Sequence, residues 1–202
     1  MGQSIVEVEI TGPLTSGESI RIREEGAAWC FKGHFDRYMI NFTTAEMRSK
    51  QLDLRARVTN GSPELVVKHG EWGSGKRIET IVQCERGQFE SLVKALVAIG
   101  FLQGIGCRRI IERFTDDEVE FSIIEVPRYT TFYEAELLAP VGEEDVAMDR
   151  LLEWARSRCL RVFTKEEFLK FIDDLDANAN DLLCLDQEAA WDLIKHQTVT
   201  QT

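Results

Sequence analysis

Polar and apolar residues alternate over most of the first two thirds of the chain, at the spacing of β-strands. Near the N-terminus, Glu7 and Glu9 alternate with Val6, Val8 and Ile10. Successive side chains of a strand point to opposite faces, so the two carboxylates share one face and the apolar residues share the other. The same period predicts strands over residues 5–10, 38–42, 52–58, 64–69, 76–83, 107–115, 118–125 and 131–138.

Helical spacing replaces this pattern in two regions. Within the strand-rich part, apolar residues recur at helical spacing before Gly100 and predict an amphipathic helix: Phe89, Leu92, Val93, Leu96 and Val97. After Pro140, helical patterns cover residues 143–158, 164–175 and 186–196. Thr164 with Glu167 three residues later is a capping box, which marks the start of the second of these helices.

One segment, residues 19–24, fits both kinds of structure. Its two isoleucines alternate with arginines as in a strand, whereas its acidic ends suit a helix, so its assignment stays open. The length of 202 residues allows one substantial domain with an appendage. We therefore expect a strand-rich domain over residues 1–140 and a helical C-terminal extension, residues 141–202, packed on it.

Two further predicted strands carry paired charges on one face. Arg55 and Arg57 alternate with apolar neighbours, and so do Glu134 and Glu136. If the strands share one sheet and their charged faces converge, an acidic cluster faces a basic one. An open antiparallel sheet with a solvated polar face would explain the same alternation. The density of charge favours a closed sheet with the charged face inward, which is a tunnel, because solvated faces usually mix Thr, Ser and Lys.

The charge balance and the cysteines bear on partners and location. The chain has 24 basic and 35 acidic residues and a net charge of −11, which disfavours non-specific binding to nucleic acid or to an anionic membrane. We expect neither partner. The five cysteines include no CxxC pair, so neither a disulfide framework nor a zinc site is indicated, and a cytoplasmic location is expected. No apolar run reaches the roughly 18 residues of a membrane-spanning helix.

The charged residues are of the types that phosphate chemistry needs. Enclosed charges are costly unless they are paired or ligated. Carboxylate clusters suit Mg²⁺ or Mn²⁺, which take oxygen ligands and share their coordination shell with substrate phosphates. The planar forks of Arg55 and Arg57 and the point charge of Lys68 suit phosphate oxygens. Together these groups predict a site for phosphoryl transfer, in which positioning and charge neutralisation supply most of the catalysis.

The succession of these motifs resembles that of the CYTH proteins, also called triphosphate tunnel metalloenzymes. Residues 7–11, Glu-Val-Glu-Ile-Thr, resemble the Glu-x-Glu-x-Lys strand of the family except at the last position, and residues 54–58, Leu-Arg-Ala-Arg-Val, resemble its paired arginines. The remaining matches follow in the family's order: Lys68, Arg77, Glu79, Arg109, Glu134 and Glu136. The resemblance runs from the first strand to about Leu138.

The resemblance implies a tunnel of about eight antiparallel strands with helices outside, in an α+β fold. It implies a metal-dependent hydrolase of a small-molecule triphosphate, either tripolyphosphate or an organic triphosphate such as thiamine triphosphate, present as a monomer or homodimer. Class IV adenylyl cyclases share the scaffold, so cyclisation of ATP is an alternative. The substrate-binding residues implied are Arg55, Arg57, Lys68, Arg77 and Arg109. Glu7, Glu9, Glu134 and Glu136 are implied as ligands of Mg²⁺ or Mn²⁺, with Glu7, Glu9 and Glu136 catalytic.

Two positions depart from the family pattern. Thr11 stands where the family has a lysine, and Ile124 stands where it has an aspartate of the metal and water network. Either Glu120 or another carboxylate substitutes, or the protein retains binding with weakened catalysis. A rival of another class is a protein that binds a polyphosphorylated ligand without turnover. A helical tail that serves protein interaction is a third possibility.

Overall fold

The computed structural model describes residues 5–26, 29–42, 45–72 and 75–199. Within these residues it contains nine strands and six helices. In chain order they are β1 (Ile5–Pro13), α1 (Ser16–Glu25), β2 (Cys30–Asn41), α2 (Ala45–Ser49), β3 (Leu52–Thr59), β4 (Ser62–His69), β5 (Lys76–Gln83), α3 (Phe89–Ala98), β6 (Gln103–Asp116), β7 (Val119–Val126), β8 (Thr130–Pro140), α4 (Glu144–Ser157), α5 (Lys165–Asn178), β9 (Asp181–Cys184) and α6 (Glu188–Val199).

All nine strands belong to one sheet, in the order β2, β3, β4, β5, β1, β8, β7, β6, β9. Strand β2 also pairs with β6, so strands β1 to β8 close on themselves and β9 is added at β6. The pairings are antiparallel, as in the β1–β8 and β7–β8 ladders. The prediction of an α+β fold built on an antiparallel barrel of about eight strands, with helices outside and a helical C-terminal region, is therefore confirmed.

The ambiguous segment, residues 19–24, forms part of helix α1. Its start is fixed by a capping box, in which the Glu18 backbone N–H donates to Thr15 Oγ1 (3.2 Å) and the Thr15 N–H donates to Glu18 Oε2 (2.8 Å). This reciprocal pair satisfies donors that the first helical turn would otherwise leave without partners. The capping box therefore explains why this segment is helical, which the spacing of its apolar residues alone did not decide.

Two strand features were absent from the sequence prediction. Strand β9 has only four residues, of which Leu183 is buried and Leu182 is exposed, and it pairs with the first residues of β6. A segment so short carries too little periodicity to be recognised. Strand β2 begins at Cys30 rather than at residue 38, because its first half is exposed or only partly buried and shows no clear alternation.

The chain divides into two compact units, each with its own core. Unit 1 comprises Met1–Phe35, Gly70–Ile78 and Ile110–Ile172. Its core joins the apolar faces of β1, β7 and β8 to helix α4. The buried side chains include Val8, Ile10, Phe121, Ile123, Tyr133, Ala135, Leu137, Leu151 and Trp154. The carboxylates of β1 and β8 alternate with these residues and therefore lie on the opposite face of the strands.

Unit 2 comprises Asp36–His69, Glu79–Arg109 and Asp173–Thr202. Its core joins the apolar faces of β2 and β3 to helices α3 and α6 and to β9. The buried side chains include Tyr38, Ile40, Leu54, Ala56, Val58, Val93, Leu183 and Ile194. The arginines of β3 alternate with its apolar residues and lie on the face away from the helices. Among the described residues, no helix has the length and apolarity required to cross a membrane.

Candidate functional site

Strand register brings the carboxylates of unit 1 together. Glu9 of β1 lies directly opposite Glu136 of β8, and Glu136 lies directly opposite Glu120 of β7. Glu7 precedes Glu9 by two residues and therefore shares its face. Like charges placed directly across a ladder destabilise a sheet. The arrangement therefore requires a proton or a cation among these groups.

The closest of these groups form what we call the acidic cluster, Glu7, Glu9 and Glu136. One carboxylate oxygen from each lies within 4.8 Å of the others, and all three residues are half-buried. The pKa of Glu136 is raised to about 9, mainly by burial and then by the charges of Glu7, Glu9, Glu120 and Glu134. A carboxyl in this position carries a proton at neutral pH unless a cation replaces it.

The acidic cluster fits a hard divalent cation. Its donors are all carboxylate oxygens, which Mg²⁺ and Mn²⁺ prefer over imidazole or thiolate. Their spacing allows three side chains to reach one ion. Two of the three are on one strand and the third is on its neighbour, so the paired backbones fix the spacing of the donors. Glu7, Glu9 and Glu136 are thus the residues that could hold a metal.

The fourth predicted ligand, Glu134, lies two residues before Glu136 on the same face of β8. It stands opposite Thr11 on one side and Ser122 on the other, and both neighbours are buried. Thr11 Oγ1 donates to Glu9 Oε1 (3.3 Å). Where the family has a lysine, this chain therefore has a hydroxyl that reaches a member of the acidic cluster.

The second departure, Ile124, lies in apolar surroundings. It is buried and stands opposite Ile111 and Phe132 in the neighbouring strands. A carboxylate is present on the same face of β7 four residues earlier, at Glu120. It forms an ion pair with Arg113, whose Nε lies 2.9 Å from Glu120 Oε1. A negative group is therefore present beside Glu136, although not at position 124.

Arg77 is the predicted phosphate-binding residue of unit 1. It lies directly opposite Glu7 in the pairing of β5 with β1. Its guanidinium stands over the Trp72 ring, 5.3 Å from the ring centroid. Such cation–π stacking favours Arg and restricts its orientation without using its donors. A cation thus sits beside one end of the acidic cluster.

The predicted basic residues of β3 and β4 in unit 2 form a network with acidic partners. Arg57 lies opposite Glu64, and its Nε donates to that carboxylate. The Arg57 Nη1 also lies 3.4 Å from Glu79 Oε1, and Lys68 Nζ lies 3.9 Å from Glu79 Oε2. Arg57, Lys68 and Glu64 are largely buried. The carboxylates hold both cations in fixed positions.

Arg55 and Arg109 are each held by a different partner. Arg55 donates from Nε and Nη2 to both carboxylate oxygens of the fully buried Asp53. The buried Arg109 donates from Nη1 and Nη2 to Asn180 Oδ1, both at 3.2 Å. Asn180 Nδ2 in turn donates to Asp176 Oδ1 (2.8 Å). Arg109 is thus positioned by the C-terminal region of the chain.

Sequence reasoning missed the partners of these cations. Asp53 and Glu64 share the charged faces of β3 and β4, so face assignment could have found them once the register was known. The sequence does not identify Asn180 as a partner of Arg109, because it lies beyond the end of helix α5 and far from Arg109 along the chain. The two residues meet only in the folded structure. The five predicted cations are placed in two groups, with Arg77 in unit 1 and the others in unit 2.

Comparisons with known proteins give matches in structure alone. No protein-family model matches the sequence, and no curated protein matches it. Among solved structures, the PH1819 protein of Pyrococcus horikoshii superposes with a TM-score of 0.68 at 20% identity, covering 83% of this chain and 98% of that chain. A candidate adenylate cyclase of Vibrio parahaemolyticus superposes with a TM-score of 0.59 at 14% identity, covering 83% and 93%.

The superposition on the Vibrio protein bears on the fold, because it covers most of both chains. The chain has the CYTH fold. Another solved structure, HpAC1 of Hippeastrum, superposes with a TM-score of 0.51 at 15% identity, covering 78% of this chain and 89% of that chain. It is named as a candidate adenylyl cyclase that reveals a dominant triphosphatase activity. The resemblance seen in the sequence is thereby confirmed as one of fold.

Proposed function

We propose that the protein is a metal-dependent hydrolase of a small-molecule triphosphate. The observation that carries this proposal is the acidic cluster, because three carboxylates cannot share so small a volume without a cation or a proton. The CYTH fold supports the same proposal, since HpAC1 is described as a triphosphatase. Glu7, Glu9 and Glu136 would hold Mg²⁺ or Mn²⁺, which when bound would neutralise charge on the phosphoryl oxygens and orient a water.

The side chains of the protein have separate tasks in this reaction. Glu7, Glu9 and Glu136 hold the ion, and Glu134 extends the negative surface of β8. The phosphate oxygens are bound by cations that their own partners keep in place: Arg55, Arg57, Lys68, Arg77 and Arg109. Water adds to the terminal phosphorus, the bond to the bridging oxygen breaks, and orthophosphate and the shortened diphosphate leave, with one proton released to solvent.

A second candidate is a protein that binds a polyphosphorylated ligand without turnover. Ile124 favours this candidate, because a buried isoleucine in apolar surroundings stands where the family pattern has an aspartate. Glu120 favours turnover, because it places a carboxylate directly opposite Glu136. We therefore put hydrolysis first and binding alone second.

Release of phosphate from tripolyphosphate, thiamine triphosphate and ATP, each with Mg²⁺ and with Mn²⁺, tests the proposal. Glu9→Gln removes one cluster charge while keeping its shape, and we expect a loss of about 100-fold in rate. Glu125→Gln is the matched control, because Glu125 is exposed on the other face of β7. Binding without release in the wild type, with release gained in a Thr11→Lys, Ile124→Asp variant, would establish the second candidate instead.

A further inference from the structure

Two pairs of Asp and Asn residues, each spaced four residues apart, span the C-terminal end of helix α5. Residues 174–180 are Asp-Leu-Asp-Ala-Asn-Ala-Asn. Asn178 Nδ2 donates to Asp174 Oδ1 (3.0 Å), and Asn180 Nδ2 donates to Asp176 Oδ1 (2.8 Å). Both residues of the first pair are exposed, whereas both residues of the second pair are half-buried. The chain therefore contains the same local pair twice, once on the surface and once in a more enclosed position.

The enclosed pair has a defined hydrogen-bond direction. Asn180 Oδ1 accepts from Nη1 and Nη2 of the buried Arg109, both at 3.2 Å. A guanidinium only donates and an ionised carboxylate only accepts, so one orientation of the Asn180 amide satisfies both neighbours. Its Nδ2 points to Asp176, and its oxygen then points to Arg109. The carboxylate of Asp176 thus selects the orientation in which Asn180 presents an acceptor to Arg109.

Asp176 is itself held on both sides. It follows the buried Leu175 in the last turn of α5. While Oδ1 accepts from Asn180, its other oxygen, Oδ2, lies 3.9 Å from Nη2 of Arg48 on helix α2. The Arg48 side chain is 44% exposed, so this ion pair adds little stability by itself. It does place a positive charge beside the outer oxygen, which leaves the inner oxygen directed at Asn180.

We propose that Asp176 is a positioning residue of the phosphate site, which acts by orienting Asn180 toward Arg109. This proposal rests on the proposed function, in which Arg109 binds a phosphate oxygen. An arginine recognises phosphate through a rigid fork of donors, so its direction matters as much as its charge. With the Asn180 amide turned over, an NH₂ group would face the Arg109 donors, and the guanidinium would lose the acceptor that holds it in place.

Calorimetric titration of the full chain with tripolyphosphate and Mg²⁺ tests the proposal. In Asp176→Asn, the new amide can offer either an oxygen or an NH₂ group to Asn180 and no longer fixes its orientation. We expect the affinity to fall by about five- to tenfold. Asp174→Asn is the matched control, because it makes the same substitution in the exposed pair, and it should leave the affinity unchanged. If circular dichroism shows that Asp176→Asn does not fold, Asp176→Ala, which favours the helix, replaces it with the same expectation.

A double variant separates positioning from a merely structural role. If Asp176 acts through Asn180, adding Asp176→Asn to Asn180→Ala should change the affinity by less than about twofold. In phosphate release from tripolyphosphate, Asp176→Asn should raise KM and leave kcat within about twofold.

Additive losses in the double variant, or equal affinity in the wild type and in Asp176→Asn, would overturn the inference and leave the proposed function standing. A fall in kcat with KM unchanged would overturn it as well. Absence of tripolyphosphate binding by the wild type would instead reject the proposed function, and this inference with it.

Discussion

Glu136 is the residue whose environment departs furthest from that of an ordinary surface carboxylate. Its pKa lies near 9 because it is buried and because Glu9 and Glu120 flank it across two ladders. In the unfolded chain the same carboxyl titrates near its ordinary value of 4.5. Between these two pH values the native protein binds more protons than the unfolded chain, so its stability falls as pH rises.

This shift predicts a pH dependence of stability in the absence of divalent cations. We expect the free energy of unfolding to decrease by about 1 kcal/mol per pH unit between pH 6 and 8. Urea unfolding with a chelator present measures it, and Glu136→Gln should lack the slope because the amide mimics the protonated acid. Addition of Mn²⁺ should also flatten the slope. A slope equal in the wild type and in Glu136→Gln would contradict this account of the cluster.

Asn180 is a positioning residue for Arg109. Without its amide oxygen, the buried guanidinium loses an acceptor for two of its donors, and its position is no longer fixed. We expect Asn180→Ala to weaken binding of tripolyphosphate by about tenfold, measured by calorimetry. Asn178→Ala is the control, because Asn178 donates only locally to Asp174. Equal affinity in the two variants would remove Asn180 from the site.

The elements of the fold are joined at close backbone contacts, and Gly12 in β1 is the clearest case. Gly12→Ala places a Cβ against the Arg161 carbonyl oxygen and the Tyr133 ring, so we expect a loss of about 1 to 3 kcal/mol of stability. Gly17→Ala meets nothing within 4 Å in the first turn of α1. It should be neutral or stabilise the protein by up to about 1 kcal/mol. Thermal unfolding measures the difference in stability between the two variants. Equal melting temperatures would contradict the tight packing of β1 against the backbone at Arg161.

The elements also differ in how far the sequence determines them. Strand β1 was predictable because its carboxylates and apolar residues alternate without interruption, and α3 because its apolar residues keep helical spacing. Helix α1 could be assigned only from its capping box. Strand β9 forms by pairing with β6, and no local sequence pattern predicts that pairing. The acidic cluster could be predicted from face assignment on two strands. The partners of the basic residues could not, because Asn180 and Asp53 are specified by register and tertiary contact.

At the scale of the whole molecule, residues 141–202 contribute to the core of each unit. Leu151 and Trp154 of α4 are buried in unit 1, and Leu183, Leu185 and Ile194 are buried in unit 2. Five such side chains contribute about 10 kcal/mol at about 2 kcal/mol each. This equals the total stability of an ordinary domain, about 5 to 15 kcal/mol.

We therefore expect the chain truncated after Pro140 to be unfolded rather than a smaller active protein. Circular dichroism and urea unfolding of the truncated chain test this expectation. Within the full chain, Leu151→Ala should cost about 2 to 5 kcal/mol, whereas Val146→Ala on the exposed side of the same helix should cost little. A folded and active truncated chain would show that the extension is dispensable.

The claim on which the proposed function depends is that Glu7, Glu9 and Glu136 hold a divalent cation. Calorimetric titration of the full chain with Mn²⁺ tests it most directly, because it requires no knowledge of the substrate. We predict saturable binding by the wild type and by the control variant Glu125→Gln, with affinity reduced at least about tenfold in Glu136→Gln. Absence of binding by the wild type, or equal affinity in Glu136→Gln, would contradict the assignment.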